Sequence, residues 1–331
     1  MRVGIVGCGS IAQVHAEAIS KMETAQLVAV MDIIKSRAED LADIFGGEVC
    51  DTFEELLGSD IDVLHICTPH VQHTPMAKAA AEKGIAVFTE KPPVITFEQW
   101  EEFQKIAESI PLGICFQNRY NKSVCHIKQF LSEGKGGSFI GAKAFLTWKR
   151  EEAYYTESSW RGSLETEGGG ALINQAIHTL DLLVYFLGRP KKVEAAMQNF
   201  HLKDYIEVED TLNARIDYNG APVLFYATTG YSVDSPVFIE MLFENVTVQL
   251  RENHVDFIWK NGRIEKFVFE TVKHGGKAYW GSGHENCIND YYHKLEMGEA
   301  PPIGVPEIEN TIELLLSTYL SAREGKEVRL D

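Results

Sequence analysis

Lys91, Asn174 and His178 are polar residues set among apolar or rigid neighbours, and each has a side chain suited to moving a proton or holding a hydroxyl. Lys91 follows the apolar run Ala86-Val-Phe-Thr89 and Glu90, and it precedes Pro92-Pro93. Proline fixes φ and lacks an N–H, so this lysine sits on a stiff turn at the carboxyl end of a strand. Asn174, His178 and Asp181 fall at i, i+4 and i+7 among Leu172, Ile173, Ile177, Leu180 and Leu183, and so share one helical face. A polar row in such surroundings costs stability unless its members are hydrogen-bonded. Neutral histidine accepts a proton near pH 7, which makes His178 an acid/base candidate. Asn174 suits a substrate hydroxyl, and Asp181 either orients the imidazole or acts as a buried cap. A satisfied core histidine and a solvent lysine are the plain alternatives. A metal on this face is disfavoured, because an asparagine is one of the groups and no second histidine is present.

The opening residues supply a partner for this chemistry. Val3, Ile5 and Val6 read as a buried strand, followed by Gly7-Cys-Gly9-Ser10-Ile11-Ala12 and a helical run to Met22. Gly7 permits the tight turn, Gly9 lets backbone approach a pyrophosphate, and small Ala12 lets the helix pack on the strand. The helix N-terminus around Ser10 and Ile11 then offers N–H groups to the anion. A second strand, Leu27–Met31, ends at Asp32, where the motif places a ribose 2′-OH acceptor. Its charge would repel a 2′-phosphate by roughly 4 kcal/mol at 4 Å and an effective dielectric of ~20, so NAD is expected over NADP. Arg37 lies near the adenosine edge. Thr68, Pro69 and His73 follow the strand Asp62–Cys67, and Glu90-Lys91 follow the next, all at carboxyl ends where ligands of open α/β sheets bind. A nicotinamide cation beside Lys91 would depress its pKa.

The rest of the chain must position these groups. Its 331 residues suit two domains, and 45% hydrophobic content is that of a globular protein. The net charge of −17 argues against general nucleic-acid binding. No apolar run approaches the ~20 residues of a membrane span, and the opening strand lacks a secretory pattern, so the cytoplasm is expected. The six cysteines form no C-x-x-C pair, so neither a disulfide framework nor a cysteine metal site is indicated. Ser36…Glu39, Thr52…Glu55 and Thr96…Gln99 read as helix caps. Strands alternate with helices to Phe116. Asn118, Arg119 and Tyr120 mark a hinge, and strand runs then dominate, with hairpin turns at Asn219-Gly220 and Asn261-Gly262. The expected class is α/β. A Rossmann domain over 1–118 precedes an α+β domain over 119–331 with a large, mostly antiparallel open sheet. One sheet face is covered by helices, the other is a candidate oligomer surface, and the C-terminal helix is able to pack back on the first domain.

Together, Gly7–Ala12, Asp32, Glu90-Lys91-Pro92, Trp160-Arg161, Gly168-Gly-Gly…Asn174…His178…Asp181, the tail Gly281-Ser-Gly-His284 and Tyr319–Arg323 resemble the Gfo/Idh/MocA oxidoreductases, relatives of glucose–fructose oxidoreductase and inositol 2-dehydrogenase. The resemblance implies NAD(P)-dependent redox at a carbinol carbon of a sugar or cyclitol, in homodimers or homotetramers. It places Lys91 and His178 beside the reacting oxygen. The family often has aspartate where this chain has Asn174, which leaves His178 with Lys91 to handle the proton. Trp160 and Arg161 are assigned to the cofactor, and Asn118, Arg119, Tyr120 and Tyr154 to the substrate. The Asn-Gln-x-x-His variant is similar to that of enzymes oxidising C3 of nucleotide-linked sugars and other glycosides. Relatives also include glycosidases that retain NAD and oxidise C3 transiently, and NAD-binding regulators that do not catalyse.

Overall fold

The computed structural model describes residues 1–270 and 283–330. The chain divides into two units, Met1–Gln117 with Lys273–Ile308 and Asn118–Val272 with Glu309–Asp331. Gly281 and Ser282 of the expected tail motif lie outside the described residues.

In the first unit, β1 (Arg2–Val6), α1 (Ser10–Ser20), β2 (Gln26–Met31), α2 (Lys35–Phe45), β3 (Glu48–Val49), α3 (Phe53–Gly58), β4 (Val63–Ile66), α4 (His73–Ala81), β5 (Ala86–Thr89), α5 (Phe97–Ala107) and β6 (Leu112–Ile114) follow in order. The six strands form one sheet, β3-β2-β1-β4-β5-β6, in which every pairing is parallel. Strands β4 and β5 are buried at every residue, as the apolar runs require of a sheet covered on both faces. Parallel order brings all carboxyl ends to one edge, so Gly7, Asp32, Thr68 and Glu90 emerge together. The cap at Thr52 is a full capping box, and Thr96 accepts from the Gln99 N–H. The expected box at Ser36 is not formed. Helix α2 starts two residues earlier, at Lys35, because the Asp32 carboxylate takes the Ile34 N–H at 2.7 Å and sets the turn.

Residues 283–308 were expected in the second domain, and here the structure differs. Helix α10 (Gly283–Glu296) belongs to the first unit. Its Tyr291 ring lies 5.0 Å from that of Phe88, and its Tyr292 hydroxyl meets His65 Nε2 at 2.9 Å. Both tyrosines are almost wholly buried, so the core of the first unit is incomplete without them. Gly113 on β6 makes room: a Cβ there would fall 2.5 Å from the Tyr291 ring.

The second unit contains α6 (Lys122–Ser132), β7 (Phe139–Thr147), α7 (Glu152–Thr156), α8 (Leu164–Glu167), a π-helical turn (Ala171–Ala176), α9 (Ile177–Leu187), β8 (Lys192–Gln198), β9 (Thr211–Tyr218), β10 (Ala221–Thr228), β11 (Phe238–Phe243), β12 (Val246–Arg251), β13 (His254–Trp259) and β14 (Ile264–Val268). Helix α11 (Val305–Glu324), whose residues from Glu309 onward belong here, and β15 (Val328–Arg329) complete it. The sheet runs β14-β13-β12-β11-β7-β10-β9-β8-β15 and is antiparallel except at β7/β10. Hairpins turn at Asn219-Gly220 and Asn261-Gly262, as expected. Helices α6 and α9 pack on one face. The opposite face exposes apolar side chains, including Leu224 and Leu242. The 164–187 stretch is long and apolar enough to cross a membrane, contrary to expectation, but 78% of its window is buried and it serves as a core helix.

Gly113→Ala is expected to destabilise the protein by about 1–3 kcal/mol, because overpacking a rigid ring forces a shift. Gly58→Ala, with open space around its Cβ, is the neutral control. Denaturant unfolding of the two variants checks the difference.

Candidate active site

The nucleotide-facing edge of the first unit is built by close approach. Gly7 has φ +83°, and a Cβ on it would meet the Cys67 backbone at 2.7 Å. Gly9 differs: its φ of −75° suits any residue, and nothing lies within 4 Å of the Cβ position. That open space stands over the start of α1, whose first turn holds no acidic side chain and begins with exposed Ser10 and half-buried Ile11. Ala12 is buried against the sheet. The Asp32 carboxylate accepts from the Cys8 N–H at 2.7 Å, which fixes it beside the glycine turn. Arg37 is exposed on the first turn of α2. These features fit a dinucleotide: room for phosphates, helix N–H groups beneath them and a carboxylate for the ribose.

Lys91 is half-buried on a turn held from both sides, and its peptide bond to Pro92 is cis. From α4, His73 Nδ1 lies 2.6 Å from the Pro92 carbonyl and Nε2 lies 2.8 Å from that of Thr68, while Thr74 donates to Pro93 O at 3.1 Å. His73 was expected beside the cofactor. It is buried, and its ring is seated between the Thr68 and Pro92 carbonyl groups. Half-buried Pro69 leads into the short turn before α4.

Glu90, also expected at the cofactor, carries a second buried contact. It is buried and accepts from His15 Nε2 at 3.0 Å, while its other oxygen accepts from the Lys91 N–H at 3.3 Å. His15 Nδ1 faces His65 Nδ1 at 2.9 Å, and His65 continues to Tyr292. Burial pulls His15 down, but the Cys115 and Glu90 side chains outweigh it and lift it to about 9. Burial pushes the Glu90 carboxyl up, and His15 overrides that to hold it far below the usual carboxylate range. His65 is driven low by burial and by the His15 charge. With His15 lifted and His65 lowered, an imidazolium at His15 that donates to Glu90 and to neutral His65, whose Nε2–H donates to Tyr292, is consistent with the row. His15, Glu90 and Cys115 offer ligand atoms within 4.8 Å of one another, but the His15–Glu90 bond already occupies the first two.

In the second unit, the residues of 171–184 are buried except Asn174 and His178, which alone are partly open. Asp181, expected on the same face, is fully buried. It binds Arg119 through both oxygens, at 2.9 and 2.5 Å, and accepts from Thr311 at 2.8 Å. It therefore orients Arg119 rather than the imidazole. Arg119, expected at the substrate, is itself buried, 4.8 Å over the Tyr185 ring. Asn118 and Tyr120 beside it are half-buried. The Tyr154 hydroxyl accepts from Gln175 at 3.0 Å, and Arg161 stacks over both the Tyr154 and Trp160 rings at 4.5 and 4.9 Å.

Two buried glutamates that sequence reasoning missed shape this region. Glu209 accepts from the N–H groups of Gly170 and Leu172 and from the Tyr319 hydroxyl. A Cβ on Gly170 would lie 2.0 Å from Glu209 O, and one on Gly169 would lie 2.2 Å from the Tyr319 hydroxyl, so these glycines serve close packing. Glu167 accepts from the Gly162 N–H and from Asn174 Nδ2. A π-helical turn carries Asn174, a form often found at functional sites. The signal for His15 was present: it shares the buried stripe of α1 with Ala12, Ala16 and Ile19. Glu209 lies in a short acidic stretch with no periodic pattern to mark it.

Fold and site together define a nucleotide-dependent oxidoreductase, and comparison with known proteins names its lineage. Residues 1–112 match the oxidoreductase family model with the NAD-binding Rossmann fold, and residues 124–249 match the GFO/IDH/MocA C-terminal domain. The chain belongs to the GFO/IDH/MocA oxidoreductase family, and its cofactor is NAD. It is 30% identical over 253 residues to a D-glucoside 3-dehydrogenase of Escherichia coli, covering 69% of this chain and 70% of the relative. It is 27% identical over 234 residues to a glucose-6-phosphate 3-dehydrogenase of Bacillus subtilis, covering 66% of each. The structure of the WlbA dehydrogenase from Bordetella pertussis in complex with NADH and UDP-GlcNAcA superposes with a TM-score of 0.86 at 27% identity, over 100% of this chain and 98% of that one.

Gly9→Val is expected to leave the melting temperature near wild type while weakening NADH binding about tenfold or more, as read by fluorescence titration. His15→Gln strands a buried carboxylate and should cost about 3–5 kcal/mol near neutral pH. The stability that His15 adds is complete below pH 6.5 and is lost as pH rises through about 9, so the variant's deficit should shrink along the alkaline limb of a melting curve series.

Proposed function

We propose that the protein is a dehydrogenase that oxidises a ring hydroxyl of a hexose, hexose phosphate or glycoside, with His178 as the proton acceptor and Lys91 as the donor to the developing alkoxide. Bound NAD supplies the hydride acceptor. His178, acting as the neutral imidazole, takes the hydroxyl proton as the carbinol C–H bond breaks. The Lys91 ammonium stabilises negative charge on the same oxygen, the role of a preorganised oxyanion donor. Asn174 holds a neighbouring hydroxyl. Trp160 and Tyr154 offer flat apolar surfaces to a sugar ring, and Arg161 adds a cation beside them.

The observation that carries this reading is the opening pattern of 171–184. A buried helical run exposes one amide and one imidazole and nothing else, which is the minimum needed to hold one hydroxyl and deprotonate another. The names of the relatives, which act on glucosides and glucose 6-phosphate, support a hexose over a simple ketone. The exposed apolar face of the nine-stranded sheet supports assembly of copies of this chain through that face, and the cytoplasm as their location accords with NAD use.

Purified protein with NAD, tested at the NADH absorbance against free, phosphorylated, glycosidic and nucleotide-linked sugars, is expected to reduce NAD with at least one hexose derivative. Release of an aglycone without net NADH would replace the dehydrogenase with an NAD-retaining glycosidase. Lys91→Ala and His178→Ala should each lower kcat roughly 10²–10⁴-fold with NADH affinity retained. Near-normal turnover in either variant removes that residue from the mechanism.

A further inference from the structure

We propose that Glu167 is a positioning residue for substrate recognition: its carboxylate fixes the rotation of the Asn174 amide, and its protonation reverses which end of that amide is presented to a sugar hydroxyl. The inference rests on the dehydrogenase reading above and adds the polarity of the contact. Asn174 Nδ2 donates to Glu167 Oε1, so the amide oxygen is turned the other way. An ionised carboxylate can only accept, which leaves the amide a single favourable rotation. Presented this way, Asn174 recognises a hydroxyl as a donor. A protonated Glu167 can instead donate to the amide oxygen. Half a turn of the amide then presents Nδ2, and the hydroxyl must become an acceptor.

The setting lets both states exist near neutral pH. Glu167 is 1% exposed and ends the short helix α8. Its second oxygen accepts from the Gly162 N–H at 2.5 Å. Burial pushes its carboxyl up to about 7, against the Gly162 and Asn174 donors that favour the charged form. Glu209 behind the glycine turn pushes in the same direction as burial, and Arg161 opposes it. Tyr155 on α7 and Tyr319 on α11 also feel the Glu167 charge. Tyr319 donates to Glu209, so the two glutamates are held by different donors and Glu167 is the one tied to Asn174.

The sign follows from the geometry. Above about pH 7 the carboxylate locks the donor-reading form. As pH falls through 7 that form is lost, and the sugar KM should rise roughly three- to tenfold, the worth of one neutral hydrogen bond. Glu167→Gln keeps a hydrogen-bonding partner but removes the titration. Its KM should therefore be flat over the interval in which the wild-type KM changes. Every other titrating group is common to both proteins, so the difference between the two KM profiles is the readout, with kcat followed separately. NADH affinity should be unchanged.

Infrared titration of the substrate-free protein gives an independent arm. A protonated-carboxyl band should disappear between about pH 6 and pH 8 in wild type and be missing in Glu167→Gln. In Asn174→Ala the same transition should move to higher pH, since a donor to the carboxylate has been removed. A Glu167→Gln KM profile that tracks wild type, or a wild-type protein with no such band, overturns the proposal. A wild-type enzyme that shows the band but oxidises no sugar overturns the dehydrogenase reading instead.

Discussion

In the core of the first unit an imidazolium and a carboxylate face each other at 3.0 Å, and the turn that carries Lys91 hangs from them. Neither charge would survive there alone, because removing either partner leaves an uncompensated ion at a cost of several kcal/mol. The pair persists because further partners surround it. Glu90 also takes the Lys91 N–H, and His15 Nδ1 also meets His65, which reaches Tyr292. Those residues come from α1, β4, the end of β5 and α10. One buried contact thus ties the helix beneath the cofactor phosphates to the lysine turn. It also explains why α10, remote in sequence, is part of the nucleotide-binding unit.

The second unit uses buried charge in a related way. Asp181 secures Arg119, while Glu167 and Glu209 hold glycine-rich backbone through its N–H groups. N–H donors offset part of the burial cost of each carboxyl group, and backbone held by it has little freedom to drift. Such placement suits a site that must present one amide and one imidazole from an otherwise apolar run. The glycines at 169 and 170 follow from the same demand, since Tyr319 and Glu209 occupy the space where a Cβ would stand.

Much of this was legible before any fold was known. Short apolar runs, caps at Thr52 and Thr96, and Asn-Gly turns act over a few residues, and all of them appear where local pattern placed them. The misses have a common cause. Ser36 looked like a cap, but a carboxylate four residues upstream set the helix start. Asp181 was open to an orienting or a buried role, and Arg119 and Thr311 hold it in the buried one. His73 stands at a strand end where ligands bind, and its buried ring lies against two carbonyl groups. In each case spacing predicted position and a competing partner decided the role.

The amino-acid sequence by itself determined the order of elements, the parallel and antiparallel halves, the glycine turn with its acidic follower, and the identity of the lysine and histidine. These are properties of neighbours along the chain, governed by φ preference, side-chain periodicity and capping. Tertiary structure decided which polar groups are buried together: His15 with Glu90, Arg119 with Asp181, Glu167 with Asn174. Those pairings join residues that only folding brings within 3 Å, and at that range a hydrogen bond in a low-dielectric interior outweighs any preference written in local pattern.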